Sequence, residues 1–145
     1  MGSNLIGYTI VACPFFVPMR VLDQGGWINP PRMPLVEPYY GRCVARPADP
    51  FSAPETVQRE LCNCGYARGQ CDRFPEFSAA DAVRFSVKAD RGGLLRLVYV
   101  MEKDHAPVEH GELEYDGGVS GHTSELLQAQ ARAFAESYLR RRMVR

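Results

Sequence analysis

Three cysteines fall within one short stretch, Cys62-Asn63-Cys64-Gly65-Tyr66-Ala67-Arg68-Gly69-Gln70-Cys71-Asp72-Arg73-Phe74-Pro75, and two more, Cys13 and Cys43, lie upstream. Thiolates are soft ligands that select zinc, copper(I) or iron–sulfur clusters, so a cysteine knot among glycine turns reads as a metal or cluster site. Two other readings compete. Free cysteine is among the most buried residue types and can simply fill a core. Structural disulfides are the third reading, but five cysteines cannot all pair within one chain, and the sequence shows no export signal. Because all five sit in the first half, three of them locally clustered, the metal reading is favoured.

Structural zinc is usually gripped by paired C-x₂₋₄-C knuckles, and no C-x-x-C occurs here. The spacings from Cys13 to Cys43, Cys43 to Cys62 and Cys62 to Cys71 are all long. A four-iron cluster presents corners set apart from one another, so each can take a cysteine from a separate loop, whereas one zinc ion draws its ligands together. The expectation is a [4Fe–4S] cluster on Cys13, Cys43, Cys62 and Cys71, with Cys64 as the spare and zinc as the alternative cofactor. The alternative quartet is Cys43, Cys62, Cys64 and Cys71, leaving Cys13 as a buried thiol at a strand end. Cysteine followed by proline, as in Cys13-Pro14, also occurs in cluster-binding runs. Four thiolates on either centre leave negative charge in excess, which Arg42, Arg68 and Arg73 beside the cysteines would offset. Backbone N–H groups of the Gly65–Gly69 loop would donate to sulfur and tune a potential. As a lesser alternative, Cys64 near Arg68 reads as a reactive thiolate.

Cys13-Pro14-Phe15-Phe16, the loop Gly26-Trp27-Ile28-Asn29-Pro30-Pro31, Cys62-Asn63 with Gly65-Tyr66-Ala67, Cys71 with Phe74-Pro75, and Asp81-Ala82-Val83-Arg84-Phe85 together resemble a small, functionally uncharacterised bacterial protein family with a four-cysteine pattern. The resemblance covers most of the chain and brings no known activity. It implies that Cys13, Cys43, Cys62 and Cys71 act together.

The elements that must position these residues differ between the halves 1–76 and 77–145. Ten of the eleven prolines lie at or before Pro75, so the first half reads as an irregular wrap stiffened by proline. Residues 1–12 read as a short strand ending at Cys13-Pro14. Phe15, Phe16, Trp27, Ile28, Tyr39 and Tyr40 carry too much apolar surface to leave the wrap in water. Pro31-Arg32-Met33-Pro34 matches P-x-x-P, though a packed loop is the plainer reading. Ser52-Ala53-Pro54-Glu55 has the form of a capping box opening a helix, with Val57 and Leu61 on one face and Glu55 and Arg59 paired on another. Gly65 is a natural stop, which puts Cys62 on the last turn. In the second half, Ala82 to Lys88 alternates as a half-buried strand with Val83, Phe85 and Val87 inward. Asp90-Arg91-Gly92-Gly93 is a turn, Leu94 to Met101 a central strand, His105-Ala106-Pro107 a break, and His110 to Tyr115 a third strand. Leu127, Ala131, Phe134 and Tyr138 mark a helix over 123–142, with Thr123 as its N-cap. The predicted fold is α+β: a proline-rich, cysteine-bearing irregular half packed on a three-stranded antiparallel sheet with a C-terminal helix.

A chain of 145 residues suits one domain with a real core, and its 46% hydrophobic content argues against wholesale disorder. Seventeen basic residues balance seventeen acidic ones, so no global field would hold nucleic acid or an anionic membrane. The acidic run from Glu102 to Asp116 and the basic Arg140-Arg141-Arg142 read as a strand edge and a helix end. No apolar run approaches a membrane span. Ile10-Val11-Ala12-Cys13 resembles a lipobox but has no basic residue before it, and Gly2 lacks the myristoylation pattern. Reduced thiols in a cytoplasmic compartment follow. Asp116-Gly117-Gly118-Val119-Ser120-Gly121 lacks the lysine and spacing of a phosphate loop, and His105, His110 and His122 read as loop histidines. No hydrolase nucleophile or base pattern is visible, which argues against an enzyme. Three functions remain: an iron–sulfur redox, electron-transfer or sensing accessory acting with a protein partner; a zinc-stabilised interaction module; and a nucleic-acid-associated protein using Arg68, Arg73 and Tyr66, which the neutral charge disfavours.

Overall fold

The alternation in the second half builds an antiparallel meander, β3 (Ala82–Arg91), β4 (Leu94–Lys103), β5 (Ala106–Tyr115) and β6 (Val119–Ser120), in that order across one sheet. These strands belong to a computed structural model that describes residues 13–21, 39–46, 48–66, 70–75 and 78–144. The expected strand at 1–12, the loop from Gly26 to Pro31 and the P-x-x-P segment lie outside the described residues. Val83 and Phe85 from β3, Leu95, Leu97 and Tyr99 from β4, and Leu113 and Tyr115 from β5 are all buried on one face. The opposite face carries an ionic lattice, with Lys88 paired to Glu112 and Arg96 to Glu114.

Both long hairpins close through two residues in the left-handed region, Gly92 and Gly93 in the first, Asp104 and His105 in the second. Such turns match the right-handed twist of the flanking strands. The second turn corrects the expected break at His105-Ala106-Pro107. There β5 starts at Ala106, and Pro107 pairs with Glu102 where the register shifts, a place that tolerates a missing N–H. His110 accordingly lies inside a strand, opposite Val100, and is exposed.

The predicted fold class is overturned on two counts. The main sheet has four strands, because Val119 and Ser120 return to pair with Tyr115 and Glu114. The proline-rich half also holds regular structure among its described residues, since β1 (Phe16–Val21) and β2 (Tyr39–Cys43) form a second, two-stranded antiparallel sheet. Proline and glycine disguised this pair. Pro18 sits beside a register shift that ends before Arg20, and Gly41 faces it. A Cβ on Gly41 would come 1.9 Å from the Val17 carbonyl oxygen, so only glycine permits the approach.

The helix α2 (Glu125–Val144) touches β1, β4 and β6, so it spans both sheets. Leu127, Ala131 and Phe134 are fully buried along one stripe, and Phe134 stacks on Phe85 with ring centres 5.6 Å apart. Each such large side chain removed from water contributes about 1.5–3 kcal/mol before entropy is charged. The N-cap is Ser124, one residue beyond the expected Thr123. Its Oγ accepts from the Leu127 amide at 3.1 Å.

Candidate metal centre

Local structure around Cys62 departs from an ordinary helix. A single α turn, α1 (Glu55–Val57), widens into a π-helical turn over Gln58–Cys62, and the Asn63 amide donates to the Gln58 carbonyl at 2.9 Å. The expected capping box does not form, for Pro54 holds the N-cap position without a side-chain bond. Ser52 Oγ is used elsewhere, donating to the Gly41 carbonyl at 3.1 Å. The Glu55–Arg59 pair is present at 2.9 Å. Gly65, with φ of 76°, ends the turn, its amide donating to the Leu61 carbonyl.

The outer edge of β2 explains why this segment folds as it does. Tyr39, Gly41 and Cys43 all turn backbone groups to the edge not covered by β1, and buried backbone groups must find partners. Asn63 supplies a side-chain ladder for Tyr39: Oδ1 accepts its amide and Nδ2 donates to its carbonyl, both at 2.9 Å. Gln58 Oε1 accepts the Gly41 amide at 2.8 Å, while Ser52 covers the Gly41 carbonyl. Cys43 exchanges both backbone bonds with Phe51, at 2.6 and 3.1 Å. Residues 51–63 are thereby tied to β2 like an extra strand made largely of side chains, and Cys43 and Cys62 are held in one frame.

Cys13 enters the same frame from another direction. Its amide donates to the Cys62 carbonyl at 3.1 Å, and its own carbonyl accepts from Phe16 in a tight turn. Gln130 on α2 locks this turn, Nε2 donating to the carbonyls of Cys13 and Phe16 at 2.9 and 2.7 Å. Cys71 heads a turn closed by the Phe74 amide, and the Phe74 ring packs edge-on against Phe15 with centres 5.4 Å apart.

Cys13, Cys43, Cys62 and Cys71 all line one cavity of about 300 Å³, otherwise walled mainly by aromatic and aliphatic side chains such as Phe15, Phe16, Phe51, Val57, Leu61 and Phe74. Cys64 is not among the lining residues; its thiol donates to the Arg59 carbonyl at 3.3 Å. All five cysteines are free thiols. Burial, reinforced by the neighbouring cysteines, pushes the Cys13 thiol far up and the Cys62 thiol up to about 12. Burial also raises Cys64, with Glu60 adding to it. The four lining thiols face a shared space and do not converge on a point: among the described residues no group of three or more His, Cys, Asp or Glu is gathered to hold a single metal ion. Of the three arginines expected to offset charge, Arg73 lines the cavity, Arg42 is exposed on β2, and Arg68 lies outside the described residues.

Sequence reasoning missed the three amides that hold the frame, Gln58, Asn63 and Gln130, each about 1% exposed. It also missed the junction at Tyr66. This residue, in the left-handed region just past Gly65, stacks on His105 with ring centres 4.2 Å apart. Its hydroxyl donates to Glu102 at 2.7 Å and accepts from the His105 amide at 3.1 Å. Glu102 is held in turn by Arg84. The middle of the cysteine segment, between Cys64 and Cys71, is thus moored to the β4–β5 turn. Tyr66→Phe is expected to cost about 1 kcal/mol, the net worth of an ordinary hydrogen bond, in denaturant unfolding at pH 7. Partial burial and the bond to Glu102 push the phenol up to about 12. Because the protonated form is the one favoured on folding, this contribution is full below about pH 10 and vanishes as pH rises through about 12.

Comparison of the chain with protein-family models, with curated proteins and with solved structures finds no match in any of the three. The resemblance noted above therefore rests on its quoted residues alone. No helix among the described residues is long and apolar enough to cross a membrane.

Proposed function

We propose that this chain is a small iron–sulfur protein in which Cys13, Cys43, Cys62 and Cys71 hold a [4Fe–4S] cluster. It serves as an electron-transfer or sensing accessory to a protein partner in a reducing, cytoplasmic compartment, and not as a stand-alone enzyme. The observation that carries this reading is one cavity lined by four thiols from four separate segments, with Cys64 outside its lining. Spread around a space of about 300 Å³, those thiols suit an extended inorganic core better than a single zinc ion. The apolar walls keep the local dielectric low, one of the levers that set a cluster's potential. Four free thiols in such a space repel one another when ionised, and a cationic core would relieve that repulsion.

The test is anaerobic purification followed by iron and acid-labile sulfide analysis and visible spectroscopy. Four irons and four sulfides per chain, with a brown colour that bleaches reversibly on reduction, are expected. A colourless protein carrying one equivalent of zinc would replace this reading with the zinc-stabilised interaction module.

A further inference from the structure

The cavity wall contains one cation among the described residues, Arg73, and its guanidinium is clamped from behind. Its Nη1 lies 3.5 Å from the Asp49 carboxylate, and Nη2 donates to the Asp49 backbone carbonyl. The group lies over the Phe51 ring, with Cζ 4.6 Å from the ring centre. Phe51 is itself pinned by its two backbone bonds to Cys43. What the clamp leaves is Nε, which is buried and has no hydrogen-bond partner. A buried donor without an acceptor costs about 1–3 kcal/mol, and more when charged, so an arrangement that holds one there calls for an acceptor the chain does not supply.

We infer that Arg73 Nε–H donates to a sulfur of the cluster or of its cysteine ligands, with Asp49 and Phe51 as positioning residues, and that this bond raises the cluster's reduction potential. The inference rests on the cluster reading above. Adding an electron to a centre already anionic concentrates negative charge on sulfur, so a cationic donor stabilises the reduced state more than the oxidised one. Arg42 carries the same charge but is exposed and absent from the cavity lining, so it makes no such contact.

The experiment measures iron and sulfide per chain, then the midpoint potential, on anaerobically prepared wild type, Arg73→Met, Arg73→Lys and Arg42→Met. The expected result is an Arg73→Met protein with wild-type iron content whose reduction equilibrium is at least tenfold less favourable, about 59 mV for one electron. Arg73→Lys, which keeps the charge and loses the planar donor, falls between, and Arg42→Met matches wild type. Equal potentials for Arg73→Met and wild type at equal iron content overturn the inference and leave the cluster standing. Should Arg73→Met fail to load, Arg73→Lys decides, a lowered potential supporting the inference and an unchanged one overturning it. Wild-type protein without iron and sulfide overturns both.

Discussion

Replacing Cys62 by Ala is expected to reduce bound iron from a full complement to near zero, while Cys64→Ala keeps it. The two residues stand two apart in the chain but face different surroundings. Cys62 lines the cavity at the end of the π turn, whereas the Cys64 thiol donates to the Arg59 carbonyl away from that lining. The Cys13 amide bond to the Cys62 carbonyl is a backbone contact, so substitution at Cys62 removes a ligand without dismantling the frame. Cys13→Ala, Cys43→Ala and Cys71→Ala are expected to behave as Cys62→Ala does. Loss of metal should also lower thermal stability, since binding to deprotonated thiolates that share one cavity only in the folded chain adds its free energy to folding. Iron analysis and thermal melts on the five variants check this. Full loading of Cys13→Ala together with loss in Cys64→Ala would instead select the quartet Cys43, Cys62, Cys64 and Cys71.

The second large effect falls on a residue with no chemistry of its own. Asn63→Ala is expected to destabilise the chain by about 3–5 kcal/mol, at the upper end for single substitutions. Asn63 is 1% exposed and makes three bonds at 2.9 Å, one accepted from the Tyr39 amide and two donated, to the carbonyls of Tyr39 and Gln58. Alanine takes the side-chain partners from the buried Tyr39 amide and carbonyl, while the Gln58 carbonyl keeps its bond from the residue-63 backbone amide. Tyr39 then loses its anchor at one end, although its hydroxyl still reaches the Ala133 carbonyl at 3.0 Å. For a chain of this size the melting temperature should fall by about 10 °C or more. Asn63→Asp tests the mechanism further, because it keeps the acceptor for the Tyr39 amide and removes both donors. It should be no better tolerated than alanine at pH 7. A fall of under 1 kcal/mol for Asn63→Ala would show that the β2 edge does not depend on this ladder.

Much of the second half was legible because alternation is a strong signal when one sheet face is buried, as at Val83 and Phe85 or Leu113 and Tyr115. The short strands were not. Val119 and Ser120 are too few to carry a period, and β1 hides behind Pro18 and a register shift. The capping box at Ser52 misled because a tertiary demand, the uncovered Gly41 carbonyl, took its hydroxyl. Spacing, with the resemblance beside it, put Cys13, Cys43, Cys62 and Cys71 ahead of the quartet with Cys64 in place of Cys13, and these four share the cavity lining. Gln58, Asn63 and Gln130 left no such trace, since an amide inside a polar-looking segment reads as a surface residue until its backbone partners are known. The π turn was equally hidden, because an extra residue in a helical turn follows from the packing around it.

Gln130 reaches back across 117 positions to finish the turn that presents Cys13. A ribosome releases the upstream segment first, so Cys13, Cys43, Cys62 and Cys71 emerge well before the residue that locks the Cys13 turn. On the proposed cluster reading, loading belongs after synthesis of α2, onto a largely finished scaffold, and a nascent chain stalled before Gln130 should not retain the cluster.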